Sequence, residues 1–213
     1  DITAREVKAL RDATGAGMMD AKRALVECDG DAEAASQLLR EKGLTKAATR
    51  SDRQNVEGAV GLVSDGRRAA LVHLKCETDF SAKSEGFLAL VEDLTNAVLS
   101  EGISALDGRT SAIDDLRLSI KENIEVGRVA LIEAADGNVI DTYLHIQDGR
   151  GVNGVVVEGS GVDQETLHQV ALHIAFAKPT HLTREEVSAD LVEAERAALL
   201  DITKAEGKPE QAW

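Results

Sequence analysis

The stretch "GAVGLVSDGRRAALVHLKC", Gly58 to Cys76, decides the fold. Two apolar runs are joined by Asp65-Gly66, and glycine tolerates the positive φ of a tight turn, so the segment predicts a β-hairpin. Downstream, Phe87, Leu90, Val91, Leu94 and Val98 recur at helical spacing, which places them on one face to pack against that hairpin. The unit returns 83 residues later as "TYLHIQDGRGVNGVVVE", with Asp148-Gly149-Arg150 where the first copy has Asp65-Gly66-Arg67. A second helix follows it, with Leu167, Val170, His173, Ile174 and Ala177 along one side. Two hairpin-plus-helix units predict an α+β core of two related subdomains. Between them, "SAIDDLRLSIKENI" reads as a helix and "GRVALIEAADGNVID" as a further hairpin centred on Asp136-Gly137.

Upstream, the chain reads as three short helices. Thr3 and Glu6 stand at capping-box spacing before Val7 and Leu10, and Gly15 follows the last turn. Ala21, Ala24, Leu25 and Cys28 form the face of a second helix, and Asp31 caps a third that should stop at Gly43. Leu44 to Glu57 is polar, carries no apolar period, and reads as a linker. From Thr183 onward, Val187, Leu191, Ala194, Ala198 and Ile202 make an apolar stripe among charges, the mark of a long amphipathic helix that needs a partner surface. The expected parts are 1–50, a three-helix module; 51–137 and 138–182, the two core subdomains; and 183–213, a helical arm.

Twenty-four basic residues against 38 acidic ones leave a formal charge of -14. Such a chain repels phosphate backbones and anionic lipid headgroups, so neither nucleic acid nor a membrane surface is expected as a partner. Residues 1–50 carry nine charges of each sign, so the whole excess falls on the remainder. Five aromatic residues, Phe80, Phe87, Tyr143, Phe176 and Trp213, cannot assemble a stacking platform for single strands. Cys28 and Cys76 fit no zinc or disulfide framework. No apolar run approaches the roughly 18 residues of a membrane span, and no basic leader with an apolar core opens the chain. A reducing cytoplasm is the expected compartment. The histidines, 73, 145, 168, 173 and 181, form no metal motif, and no phosphate-binding glycine loop appears, so neither metal nor cofactor is expected.

"CETDFSAKSEGF", Cys76 to Phe87, is the candidate site. If Ser81 caps the next helix, Phe80 precedes the cap, where a hydrophobic staple needs an apolar fourth helical residue; Glu85 stands there instead. Phe80 could still fold onto Leu88 as core. Asp79 suits a helix start, where exposed N–H groups favour carboxylates, or a partner contact. Cys76 reads either as a nucleophile or, the usual case in an alternating strand, as a small buried hydrophobe. Paired Met18 and Met19 read as core filler for at least one of the two, although flexible thioethers also suit a partner surface. His145 is, on its own, a strand residue.

Taken together, "LRDATGAGMMDAKRAL" at Leu10 to Leu25, "CETDFSAKSEGF", "GRVALIE" and the "VALHIAFAKP" run ending at Pro179 resemble the bacterial elongation factor Ts family along nearly the whole chain. The resemblance implies a guanine-nucleotide exchange factor for the GTPase elongation factor Tu, with a UBA-like N-terminal module. It implies that Asp79 and Phe80 enter the GTPase near its magnesium site, that Arg11, Met18 and Met19 contact its nucleotide domain, and that His145 touches its far end. The family pattern continues past Gly207-Lys208-Pro209 with a second helix completing a coiled-coil hairpin, then further strands of the second subdomain. This sequence departs there, which implies an apparently truncated arm and an incomplete second sheet, and puts full exchange activity in doubt. A homo-oligomer is compatible with the pattern. No chemistry is implied beyond binding, so the chain is not expected to be an enzyme. The rivals are a generic acidic adaptor, which has no reason to carry "TDFSAK" after a hairpin, and a hydrolase using Cys76, which lacks a histidine at suggestive spacing.

Overall fold

The computed structural model describes residues 2–207. They form an α+β protein in two compact units that divide between residues 175 and 176. The first unit opens with α1 (Ala4–Thr14), α2 (Met18–Glu27) and α3 (Ala32–Ala48). The capping box of Thr3 and Glu6 is present, Gly15 takes the left-handed conformation that closes α1, and the Asp31 carboxylate accepts from the amides of Glu33 and Ala34 to start α3. Val7, Leu10, Ala21, Ala24, Leu25 and Ala35 close into a small core of their own.

Gly43 does not end α3, which runs on to Ala48. A Cβ at position 43 would stand 2.5 Å from Leu118 Cδ2, so this glycine serves close helix approach rather than termination. Leu118 belongs to α6 (Thr110–Ile120). Arg40 pairs with Asp115 of the same helix and donates to Ser111 Oγ at 3.1 Å, which ties the helical module to the core.

The first hairpin is β1 (Glu57–Ser64) and β2 (Arg68–Cys76), turning at Asp65-Gly66 with Gly66 at φ 89°. Ala70, Val72, Leu74 and Cys76 alternate onto one buried face, as the period of two demands. On that face lies α5 (Glu85–Glu101), whose Phe87, Leu90, Val91, Leu94 and Val98 are all buried. Gly61 of β1 makes the contact possible: a Cβ there would fall 2.0 Å from Thr95 Oγ1.

The second hairpin is β4 (Val139–Gln147) and β5 (Arg150–Gly159), turning at Asp148-Gly149. Between the hairpins runs β3 (Glu125–Glu133). The expected hairpin at Asp136-Gly137 does not form. β3 pairs antiparallel with β2, giving a sheet ordered β1-β2-β3, while β4 pairs with β5 in a separate two-stranded sheet. The Asp136-Gly137 turn is therefore a crossing between sheets, fastened by Ala134 N–H to Arg67 O at 2.9 Å and by Glu158, which accepts from Ala135 N and Asn138 Nδ2. A dipeptide signal reports a tight turn but not which strand each arm will pair with.

The second sheet packs on the other face of the first, with Gly151 and Gly154 so close to β1 that a Cβ would stand 2.2 Å from Val60 O and 3.0 Å from Val60 Cγ1 respectively. α7 (Gln164–Ala177) covers the second sheet. Its buried residues are Leu167, Ala171 and Ala175, with Ile174 half-buried, whereas the expected Val170, His173 and Ala177 are exposed. The small alanines, weak in a hydropathy pattern, form the actual seam against Val155.

In the second unit, Ser188 caps α8 (Ala189–Ala205) through Leu191 N. This is the expected amphipathic helix, and among the described residues none of its side chains is buried. Leu191, Val192, Leu199 and Leu200 line one apolar side of it, and Val187, just before the helix, adjoins them. The notional end of the arm, from Lys208 to Trp213, lies outside the described residues.

Candidate functional site

Where β2 ends, the chain makes one helical turn, α4 (Asp79–Ala82), before α5 begins. Thr78, not Ser81, is the cap that starts it: the Thr78 hydroxyl accepts from Ser81 N at 3.3 Å. The cap falls there because the extended backbone of Thr78, φ -124° and ψ 153°, directs its side chain over the first amides of the turn. Ser84, at a break in the helix, then begins α5. Of the two rings in "CETDFSAKSEGF", Phe87 is wholly buried and Phe80 is 86% exposed. The core placement of Phe80 against Leu88 is thus overturned. α4 and α5 are separate helices, and α4 aims residue 80 outward.

The turn carrying that ring is held from two sides. From the segment joining α6 to β3, Glu122 reaches across 44 residues of sequence. Its Oε2 accepts from Glu77 N at 3.0 Å and Thr78 N at 3.1 Å, and its Oε1 accepts from Thr78 Oγ1 and Ser81 Oγ, both at 2.6 Å. Burial pulls this carboxyl's pKa up, and the bonds from Ser81, Thr78 and the two amides outweigh it, leaving Glu122 below the usual glutamate range. Glu122 is itself fixed by its neighbours. Lys121 closes α6 in the left-handed region at φ 65°, and buried Asn123 donates to Ser51 O and Arg53 O while its own amide donates to Glu77 Oε1 at 2.7 Å.

On the other side, the Lys83 ammonium bridges Asp79 Oδ2 at 3.0 Å and Asp148 Oδ2 at 3.3 Å. The hydrogen bond from Lys83 holds the Asp79 carboxyl below its ordinary range, and the same contacts raise Lys83. The bridge joins the turn to the tip of the second hairpin. His145 lies three residues before that tip on β4, exposed, with Nδ1 3.3 Å from Tyr143 Oη and the two rings stacked. Asp79, Phe80 and the β4–β5 tip are therefore neighbours.

Arg11, Met18 and Met19 lie elsewhere, at the end of α1 and the start of α2 in the helical module. Arg11 is exposed beside Asp12 at 3.7 Å. Met18 and Met19 are 45% and 64% exposed, so neither is core filler. Ala21, Ala24 and Leu25 fill that core, and the methionines precede it on the solvent side of the helix start.

Cys76 is fully buried at the end of β2, its thiol donating to Thr78 O at 3.2 Å. Burial, reinforced by the Glu122 charge, pushes its pKa up to about 11, so it stays a neutral thiol near pH 7. That is the environment of a packed hydrophobe, opposite to an activated nucleophile.

A family model described as "Elongation factor TS" matches residues 77–213, beginning at the turn itself. The chain is 45% identical over 224 residues to elongation factor Ts of Clavibacter michiganensis subsp. michiganensis, covering 100% of this chain and 80% of that one. The chain belongs to the elongation factor Ts family. Elongation factor Ts of Ruegeria sp. (strain TM1040) is 44% identical over 99% of this chain and 75% of its own length, and that of Cutibacterium acnes is 44% identical over 99% and 80%. Phe80, at 86%, is one of several strongly exposed apolar side chains among the described residues, with Phe176 at 88% and Leu182 at 90%, and it stands on the turn that Glu122 and Lys83 hold. Glu122 gave no sign in the sequence, and Asp148 read only as a turn residue, not as the partner of Lys83.

Proposed function

We propose that this chain is a guanine-nucleotide exchange factor for elongation factor Tu, acting in translation elongation in the cytoplasm. Phe80 is the wedge: its ring enters the GTPase beside the magnesium site, with Asp79 making a polar contact at the same place. Arg11, Met18 and Met19 contact the nucleotide domain, and His145 meets the far end of the GTPase. The UBA-like module 1–50, the subdomains 51–137 and 138–182 and the arm 183–213 are the working parts.

One observation carries the reading: an aromatic ring held 86% exposed on a turn that two separate parts of the chain immobilise. A rigid ring loses little rotamer freedom on docking, so it serves as an anchor whose truncation costs about 2–4 kcal/mol.

Exchange then follows from linkage. A factor that favours the GTPase form poor in GDP affinity is itself bound poorly when GDP is present, and each ligand weakens the other by the same factor. The complex passes through a nucleotide-free state, and GTP refills the site because it is in excess. No bond is made or broken by the factor, so the role is binding rather than enzymatic.

The test is release of labelled GDP from elongation factor Tu. The parent chain accelerates release, and Phe80→Ala loses about 30-fold or more of that acceleration. Equal acceleration by the two chains would overturn the wedge.

A further inference from the structure

From the geometry around the turn we infer that Glu122 is a positioning residue for Phe80, holding the ring in the pose that docking requires. The inference rests on the exchange reading above.

Three observations carry it. First, one carboxylate takes four hydrogen bonds from three residues at and around the turn: the amides of Glu77 and Thr78 and the hydroxyls of Thr78 and Ser81. These residues flank Phe80 on both sides, so fixing them fixes the direction in which residue 80 leaves the backbone. Second, Thr78 is used twice. Its hydroxyl accepts from Ser81 N as the cap of α4 and donates to Glu122 Oε1, so the carboxylate orients the cap that makes the turn helical. Third, Glu122 is a rigid post. Asn123, the next residue and 6% exposed, is tied to the backbone of Ser51 and Arg53, and Lys121, the residue before, is the left-handed cap that closes α6.

Phe80 has little packing of its own to hold it, being exposed, and a four-residue helix has too few internal bonds to persist unaided. Hydrogen bonds to an ionised acceptor are roughly twice as strong as neutral ones, which suits a single group asked to hold a short turn. Placement errors of about 1 Å remote from an acting group are enough to cost up to about 100-fold in function.

The experiment is a double-variant cycle on the intact chain, read by labelled GDP release from elongation factor Tu. Glu122→Ala is expected to lower the acceleration about tenfold, while Glu122→Gln, whose amide can accept from the two N–H groups and donate to the two hydroxyl oxygens, stays within about threefold of the parent. In a Phe80→Ala background Glu122→Ala is expected to have less than about a twofold further effect, because a residue that works by aiming a ring has nothing left to aim. A merely structural role would leave the two losses multiplicative, and that result overturns the inference, as does full activity in Glu122→Ala. Glu122→Asp keeps the charge but draws it back by one methylene, and it carries the same cycle should the alanine variant not fold. If Phe80→Ala alone leaves release unchanged, the wedge reading itself falls. If Phe80→Ala is impaired while Glu122→Ala is not, only the positioning role falls.

Discussion

Phe80 and Phe87 are the same residue type seven positions apart, and they answer to opposite physics. Phe87 sits at 0% exposure in the core cluster with Val72, Leu74, Leu90 and Val91, so Phe87→Ala leaves a cavity the size of a phenyl ring in the main core. The expected cost is about 3–5 kcal/mol of unfolding free energy. Phe80 at 86% exposure has almost no area left to lose, so Phe80→Ala should change stability by no more than about 0.5 kcal/mol in either direction. The assay is urea denaturation of each variant followed by far-UV circular dichroism, comparing midpoints at constant slope. The stability and exchange readouts then separate: Phe80→Ala retains the parent's midpoint while losing GDP release. A loss of more than about 1 kcal/mol in Phe80→Ala would refute the placement of the ring outside its own fold.

Four further outcomes are expected. Gly61→Ala forces a Cβ to 2.0 Å from Thr95 Oγ1 at the α5 seam, and it should destabilise by about 1–3 kcal/mol in the same denaturation assay. Glu122 has a folded-state pKa below its unfolded value, so its contribution is present above the ordinary glutamate range and lost as pH falls through the lower folded value; an acid titration of stability should lose this slope in Glu122→Gln, and an unchanged slope would count against it. Lys83→Met removes the hydrogen bond that lowers Asp79, so a carbon-detected NMR titration should find the Asp79 pKa higher in the variant; no movement would show that the bridge is absent in solution. With an aromatic disulfide reagent at neutral pH, Cys28 should react in the native state while Cys76, buried and with its pKa pushed up to about 11, reacts only on unfolding.

The local grammar of the chain was legible: the capping box at Thr3 and Glu6, the turn at Asp65-Gly66, its copy at Asp148-Gly149, and the α5 stripe all sit where short-range rules put them. What those rules missed depends on contacts distant in sequence. Whether β3 turns back on β4 or onto β2 is decided by competition between strands, and Gly43 looks like a helix end until Leu118 is seen against it. On α7, Leu167 and Ile174 pack inward as their spacing suggested, but alanines at 171 and 175 carry the seam in place of Val170, His173 and Ala177. At the site, the residues alone left Phe80 open to a core role, because the staple argument took Ser81 as the cap, whereas Thr78 caps α4 and Ser84 precedes α5. The supports of Phe80 were not legible. Glu122 contacts Thr78 from 44 positions away and Lys83 contacts Asp148 from 65, and no periodicity encodes such distances.

The tip of the second hairpin and the turn bearing Phe80 share one cation, the Lys83 ammonium, so the two carboxylates, 69 positions apart in sequence, are joined through a single side chain. Any group that takes the Asp79 carboxylate has to compete with Lys83 for it, and on winning would leave that ammonium to Asp148 alone.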